Sequence, residues 1–184
     1  DSVETVATYP KAVHTDLIDA LATEWAVDPS QVWLAAGGDG ALDYLARALL
    51  ESGDRVLVPD PGFAYYEMSA RYRDATVDTY TLSKADDFDQ TAATVLEQYD
   101  GQRIVYVTTP HNPTGSEMSL ADIETIANET NDQTLLLVDE AYGEFTDAPA
   151  AVDLVEERTD IATLRTFSKA YGLAGMRLGY ALVP

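Results

Sequence analysis

The chain has 184 residues, a formal charge of −21, no cysteine and a hydrophobic fraction of 46%, which suits one sizeable globular domain and excludes disulfides and thiolate metal sites. Such acidity repels nucleic acid and anionic membranes, and no apolar run reaches the ~20 residues needed to span a bilayer. Two distant histidines, His14 and His111, do not suggest a metal site, and an opening segment without a basic or apolar leader pattern predicts no signal peptide and a cytoplasmic location.

In chain order, residues 14–26 carry Leu17, Ile18, Leu21 and Trp25 at helical spacing. A short apolar run over 32–36 predicts a strand that reaches Gly37-Gly38, and Asp39 is placed to cap a helix over 40–51. A buried strand follows over 55–58, closed by Pro59 and Pro61, then a helix over 63–72 and a strand over 76–82. Residues 88–99 are expected as helix and 103–108, rich in β-branched residues, as strand. After the loop Pro110–Gly115, Ser119 caps a helix running to about residue 130. The last strands are expected over 134–138, 161–166 and 178–183. Strands alternating with helices predict an α/β fold: a mostly parallel sheet with helices on both faces, in three layers.

Charge is distributed unevenly. Residues 161–184 contain no Asp or Glu but do contain Arg165, Lys169 and Arg177, and residues 101–116 are also free of acids. Burial accounts for residues 161–164, and the three cations point to an anionic ligand. Many acids with only three lysines, Lys11, Lys84 and Lys169, read as an adaptation to high salt, where screening relieves self-repulsion, with a merely acidic mesophilic protein as the alternative.

Ligands of such sheets sit at the carboxyl ends of the strands. Gly38-Asp39, Pro61–Phe63, Asn112, Asp139 and Thr166–Lys169 all fall there. A P-loop nucleotide site needs G-x-x-x-x-G-K-[ST], which the chain lacks. A dinucleotide site needs G-x-G-x-x-G, and Gly38-Asp39-Gly40 begins that pattern only to meet Asp43. Pyridoxal 5′-phosphate (PLP) needs a lysine, an acid for its ring nitrogen, anion binders and a flat face. Lys169, Asp139, the N–H groups at Gly38 and Asp39 with Thr166, Ser168 and Arg177, and Phe63 supply these in turn.

The run Arg165-Thr166-Phe167-Ser168-Lys169-Ala170-Tyr171-Gly172-Leu173-Ala174-Gly175-Met176-Arg177-Leu178-Gly179-Tyr180 resembles the cofactor-lysine signature of class I/II (fold type I) aminotransferases, most like the histidinol-phosphate aminotransferases. His111–Gly115 and Asp139-Glu140-Ala141-Tyr142 are similar to two further motifs of that family, in the same order. The resemblance covers essentially the whole chain. It implies that Lys169 bonds the cofactor aldehyde and moves a proton at the substrate α-carbon, and that Asp139 stabilises the protonated ring. It further implies that Asn112 and Tyr142 hydrogen-bond the ring oxygen. Gly38, Asp39, Thr166, Ser168 and Arg177 would hold the phosphate, Phe63 would stack, and Tyr9 would reach the partner's phosphate across a homodimer. Gly40 and Phe63 stand where many relatives have Glu and Tyr. The family also has an N-terminal segment and a C-terminal small domain carrying an arginine for the substrate carboxylate, so residues 1–184 are expected to be a PLP-binding large domain and a fragment. The expected activity is amino transfer from histidinol phosphate to 2-oxoglutarate in histidine biosynthesis, on a small-molecule amino donor and a 2-oxo acid acceptor. The alternatives are a PLP-dependent lyase acting on a phosphorylated amino acid, from which the Ala174-Gly175 pair leans away, and a non-catalytic PLP-binding module.

Overall fold

A computed structural model describes residues 13–155 and 158–184. Tyr9 lies outside them. Among the described residues seven strands form one sheet: β1 (Val32–Ala35), β2 (Arg55–Asp60), β3 (Thr76–Thr81), β4 (Ile104–Thr108), β5 (Leu135–Asp139), β6 (Ile161–Thr166) and β7 (Gly179–Leu182). Their spatial order is β1-β7-β6-β5-β4-β2-β3. The pairs joining β3, β2, β4, β5 and β6 are parallel, and β7 is antiparallel to both β6 and β1.

Side-chain alternation along the central strands divides the core between two faces. Leu57, Val105, Val107, Leu136, Val138 and Ile161 pack on one side with Val95 of helix α4 (Ala92–Leu96), Ile123 and Ile126 of α5 (Leu120–Glu129) and Val155 of α6 (Val152–Val155). Val56, Val58, Ile104, Tyr106, Leu137 and Leu164 pack on the other with Leu42 and Leu45 of α2 (Gly37–Leu49) and Tyr66 and Ala70 of α3 (Ala64–Arg71). A third cluster ties α1 (Thr15–Trp25) to the β1–β7 edge through Leu21, Val32, Tyr180 and Leu182. β4 and β6 are buried along their whole length, as near-continuous apolar strands covered on both faces must be. The three-layer α/β architecture matches the expectation. Among the described residues, no helix is long and apolar enough to cross a membrane.

Three details differ from the sequence reading. The helix expected over 88–99 is confined to α4, because Thr91 caps it by accepting from the Thr94 N–H at 3.2 Å. Residues before it are drawn off: Gln90 is buried and donates to the Thr108 carbonyl at 3.0 Å, and Phe88 sits at φ 57°. α2 begins at Gly37, so Ala36 occupies the cap position and Asp39 lies in the first turn. The cause is the glycine pair. Gly37, at φ +75°, leaves β1 beneath Arg177, and a Cβ there would meet Arg177 Nη2 at 2.6 Å.

The third difference concerns Arg165, which faces away from the anionic-ligand side. It is buried, donating from Nε to Glu140 Oε2 and from Nη1 to Glu144 Oε1, both at 3.0 Å. Its guanidinium lies 4.1 Å from the centre of the Trp25 ring. The acids that answer this cation come from the segment after β5, so the acid-free run 161–184 gave no sign of them.

Candidate functional site

A cleft of about 290 Å³ opens at the carboxyl ends of β1, β2, β4, β5 and β6. Every site residue nominated from the sequence lines it, apart from Tyr9. Gly38 and Asp39 come from the start of α2, Phe63 from the start of α3, Asn112 from the loop after β4, and Asp139 and Tyr142 from the end of β5 and just beyond it. Thr166 ends β6, and Ser168, Lys169 and Arg177 follow it. This is the topological position at which doubly covered parallel sheets hold ligands.

Asp139 forms the floor. It is buried, and burial raises its pKa above the usual carboxylate value, while donors from Tyr66 and the Ala141 N–H and the charge of Lys169 act in the opposite sense. The Ala141 N–H donates to Oδ1 at 2.9 Å and the Tyr66 hydroxyl to Oδ2 at 2.6 Å. Among the described residues Asp139 has no ion pair, so its remaining lone pairs and its charge are open to the cleft.

The same cleft carries the amine. Lys169 follows β6 on an exposed turn, and its Nζ stands 5.1 Å from the centre of the Tyr142 ring. The turn is braced locally: the Ser168 N–H donates to Thr166 Oγ1 at 3.1 Å, and the Gly172 N–H to the Lys169 carbonyl at 2.9 Å. Arg177, in the left-handed region at φ 50°, reaches over Gly37. Its Nη2 contacts Asp39 Oδ2 at 3.2 Å and its Nη1 donates to the Ala174 carbonyl at 3.2 Å. The Asp39 carboxylate therefore faces Arg177. The first turn of α2 points unpaired N–H groups and the positive end of its dipole at the same place.

Asn112 owes its position to a tight loop. The His111 N–H donates to the Ser116 carbonyl and the Gly115 N–H to the His111 carbonyl, both at 2.7 Å. His111 Nδ1 is 2.8 Å from Thr114 Oγ1, and burial lowers the His111 pKa. Phe63 stands edge-on to Tyr66, with ring centroids 5.5 Å apart, and forms part of the cleft wall.

The cleft also has lining residues that were not nominated as site residues from the sequence: Leu42, Tyr66, Thr108, Ala141, Leu164 and Ala174. Tyr66 stands out among these, because its hydroxyl meets both Asp139 and Thr108 Oγ1, the latter at 2.8 Å. Its one sequence signal is its place three residues after Phe63, on the same side of a helix.

A buried carboxylate, an amine in the same cleft and an anion cradle at the glycine-rich start of α2 together fit a flat, cationic-ring cofactor bearing an aldehyde and a phosphate. The volume sits at the lower edge of the roughly 300–1,000 Å³ usual for small-molecule sites.

Comparison with known proteins agrees. The model of the aminotransferase class I and II family matches residues 2–184. A histidinol-phosphate aminotransferase of Haloarcula marismortui is 65% identical over 183 residues, covering 100% of this chain and 51% of that protein. One from Natronomonas pharaonis is 62% identical over 184 residues, covering 100% of this chain and 52% of that protein. The crystal structure of histidinol-phosphate aminotransferase from Sinorhizobium meliloti in complex with pyridoxal-5′-phosphate superposes with a TM-score of 0.88 at 29% identity, over 98% of this chain and 50% of that one. The chain thus spans about half the length of the curated relatives it matches.

Proposed function

Because the chain belongs to the class I and II aminotransferase family, we propose that it is the PLP-binding part of an aminotransferase that takes its amino group from histidinol phosphate and passes it to a 2-oxo acid. The observation that carries this reading is the convergence of Lys169, Asp139 and Arg177 on one cleft. When bound, PLP supplies an aldehyde for an amine and a ring that accepts the electrons released when the substrate's α-proton leaves. The protein residues divide the remaining work. Arg177, Thr166, Ser168 and the N–H groups of Gly38 and Asp39 hold the phosphate. Phe63 covers one ring face, and Asn112 and Tyr142 hydrogen-bond the ring oxygen. Asp139 keeps a proton on the ring nitrogen, its negative charge answering a positive one in a site shielded from water. Lys169 would supply the amine that holds the aldehyde and, as a free amine, the base that takes up the proton leaving the substrate α-carbon. Tyr9 and a homodimer remain part of the proposal, with Tyr9 reaching the partner's phosphate.

The test is a half-reaction. The full-length protein, loaded with PLP in molar KCl, is mixed with histidinol phosphate or glutamate, and the absorbance change to the pyridoxamine form is followed. Conversion by both donors is expected. Conversion by neither contradicts amino transfer and favours a non-catalytic module. Decarboxylation of a phosphorylated amino acid in its place favours the lyase.

The charge of −21 and identities of 65% and 62% to proteins of Haloarcula marismortui and Natronomonas pharaonis support a second proposal, that the fold requires salt. Screening of exposed acids then raises the melting temperature between low and molar KCl. A higher melting temperature at low salt contradicts it.

A further inference from the structure

We propose that Tyr66 is a positioning residue for the site, its hydroxyl fixing the Asp139 carboxylate and keeping it ionised so that it holds the cofactor's ring nitrogen. This rests on the PLP reading above.

An ionised carboxylate only accepts, so across the 2.6 Å contact Tyr66 is the donor to Asp139 Oδ2. With its proton committed, the Tyr66 oxygen becomes the acceptor for Thr108 Oγ1 at 2.8 Å. The Ala141 N–H takes Oδ1 at 2.9 Å. Two donors, from α3 and from the segment after β5, thus pin both carboxylate oxygens and fix the plane in which the group faces the cleft. The phenol is itself held: Tyr66 is buried, its ring stacks on Tyr106 at 4.7 Å between centroids and meets Phe63 edge-on at 5.5 Å. Burial also pushes its acidity well below that of a free phenol, so it keeps the proton it donates.

The same side chain could be mere packing, which is the usual role of a buried aromatic. Packing, however, does not require the hydroxyl to end on the one buried acid of the cleft. Burial acts to protonate Asp139, the Tyr66 hydroxyl, the Ala141 N–H and Lys169 act against it, and Asp39 acts with burial. Of the opposing donors, Tyr66 is the one a substitution can remove while leaving ring, backbone and amine in place.

The experiment compares wild type with Tyr66→Phe, which keeps the ring and its stacking. Without cofactor, the full-length protein labelled with ¹³C at Asp carboxyls is titrated, and Asp139 is assigned by its loss in Asp139→Asn. The midpoint of Asp139 is expected to rise in Tyr66→Phe. With PLP labelled with ¹⁵N in the ring, the ring nitrogen is expected to lose its proton at lower pH in the variant, and the cofactor Kd to rise about tenfold or more, as loss of a hydrogen bond to a charged group implies. Thr108→Val should shift both readouts in the same direction by less, while Thr108→Ser, which keeps a hydroxyl, should restore wild-type values. Unchanged midpoints in Tyr66→Phe reduce Tyr66 to packing and overturn the proposal. Should Tyr66→Phe not fold, equal midpoints in Thr108→Val and Thr108→Ser overturn it as well. A wild-type protein that takes up no PLP defeats the function proposed above, and the cofactor-free titration still judges Tyr66 on its own.

Discussion

Asp139 and Glu140 are neighbours in sequence, both buried and both with pKa raised chiefly by desolvation, yet they serve opposite sides of the sheet in opposite ways. Glu140 is closed off: Oε2 accepts from Arg165 at 3.0 Å and Oε1 from the Ala151 N–H at 2.7 Å, and Arg165 in turn binds Glu144 and covers Trp25. Asp139 is left open, held by one phenol and one amide, with its cation a lysine that stands across a cleft. A buried carboxylate with a complete set of partners is part of the scaffold. One without a paired cation is destabilising until something cationic arrives, and that deficit marks the site.

The difference between the two acids shows most strongly at the cleft. Lys169→Ala is expected to abolish amino transfer in a steady-state assay while circular dichroism shows the fold unchanged, since this side chain is exposed and braces nothing. Retained turnover contradicts the site assignment.

Asp139→Asn comes next, with transfer expected to fall by roughly 10²–10³-fold, in line with the loss of a preorganised charge. Its stability should move the other way. The folded pKa of Asp139 lies above its ordinary 3.8, so the folded state favours the proton. The stability this gives is complete below 3.8 and is lost as pH rises through the folded value. An amide cannot ionise and escapes that loss. It also fits the existing donors if its oxygen takes the Ala141 N–H and its NH₂ donates to Tyr66. Without cofactor, Asp139→Asn is therefore expected to melt at pH 7 no lower than wild type, and a clearly lower melting temperature would contradict the view of Asp139 as an uncompensated charge.

Glu140→Ala should do the reverse. It strands Arg165 beside Glu144 and is expected to cost about 3–5 kcal/mol in denaturant unfolding, while the folded fraction still takes up PLP at Lys169. A cost below about 1 kcal/mol would remove the distinction between the two acids. The smallest effect belongs to an exposed pair, Glu67 and Arg71, 3.0 Å apart on α3. Glu67→Ala should cost at most about 0.5 kcal/mol at low salt and nothing in molar KCl, whereas the Glu140 penalty should persist there.

Much of this was legible in the chain because position and chemistry coincide at strand ends. Apolar runs such as 135–138 and 161–164 announce buried strands, and the polar groups that follow them emerge at the carboxyl edge of the sheet. Asp139, Thr166 and Lys169 follow from that alone. What was not legible depends on which chain segment lies across from which. Arg165 looked like part of an anion site because its own stretch has no acid, and only the pairing of β5 with β6 brings Glu140 and Glu144 to it. The role of Tyr66 was not legible either, because a helical pattern reports the face a residue takes and not the atom its hydroxyl meets. Asp39 was read as a cap by residue type, and the glycines before it let the helix start earlier.

Whether Lys169 is the amine that takes up the cofactor is tested by reducing the PLP-loaded full-length protein with borohydride, digesting it and locating the pyridoxyl group by mass spectrometry. A single label on Lys169 is the expected result. A label on Lys11 or Lys84, or none at all, contradicts the account.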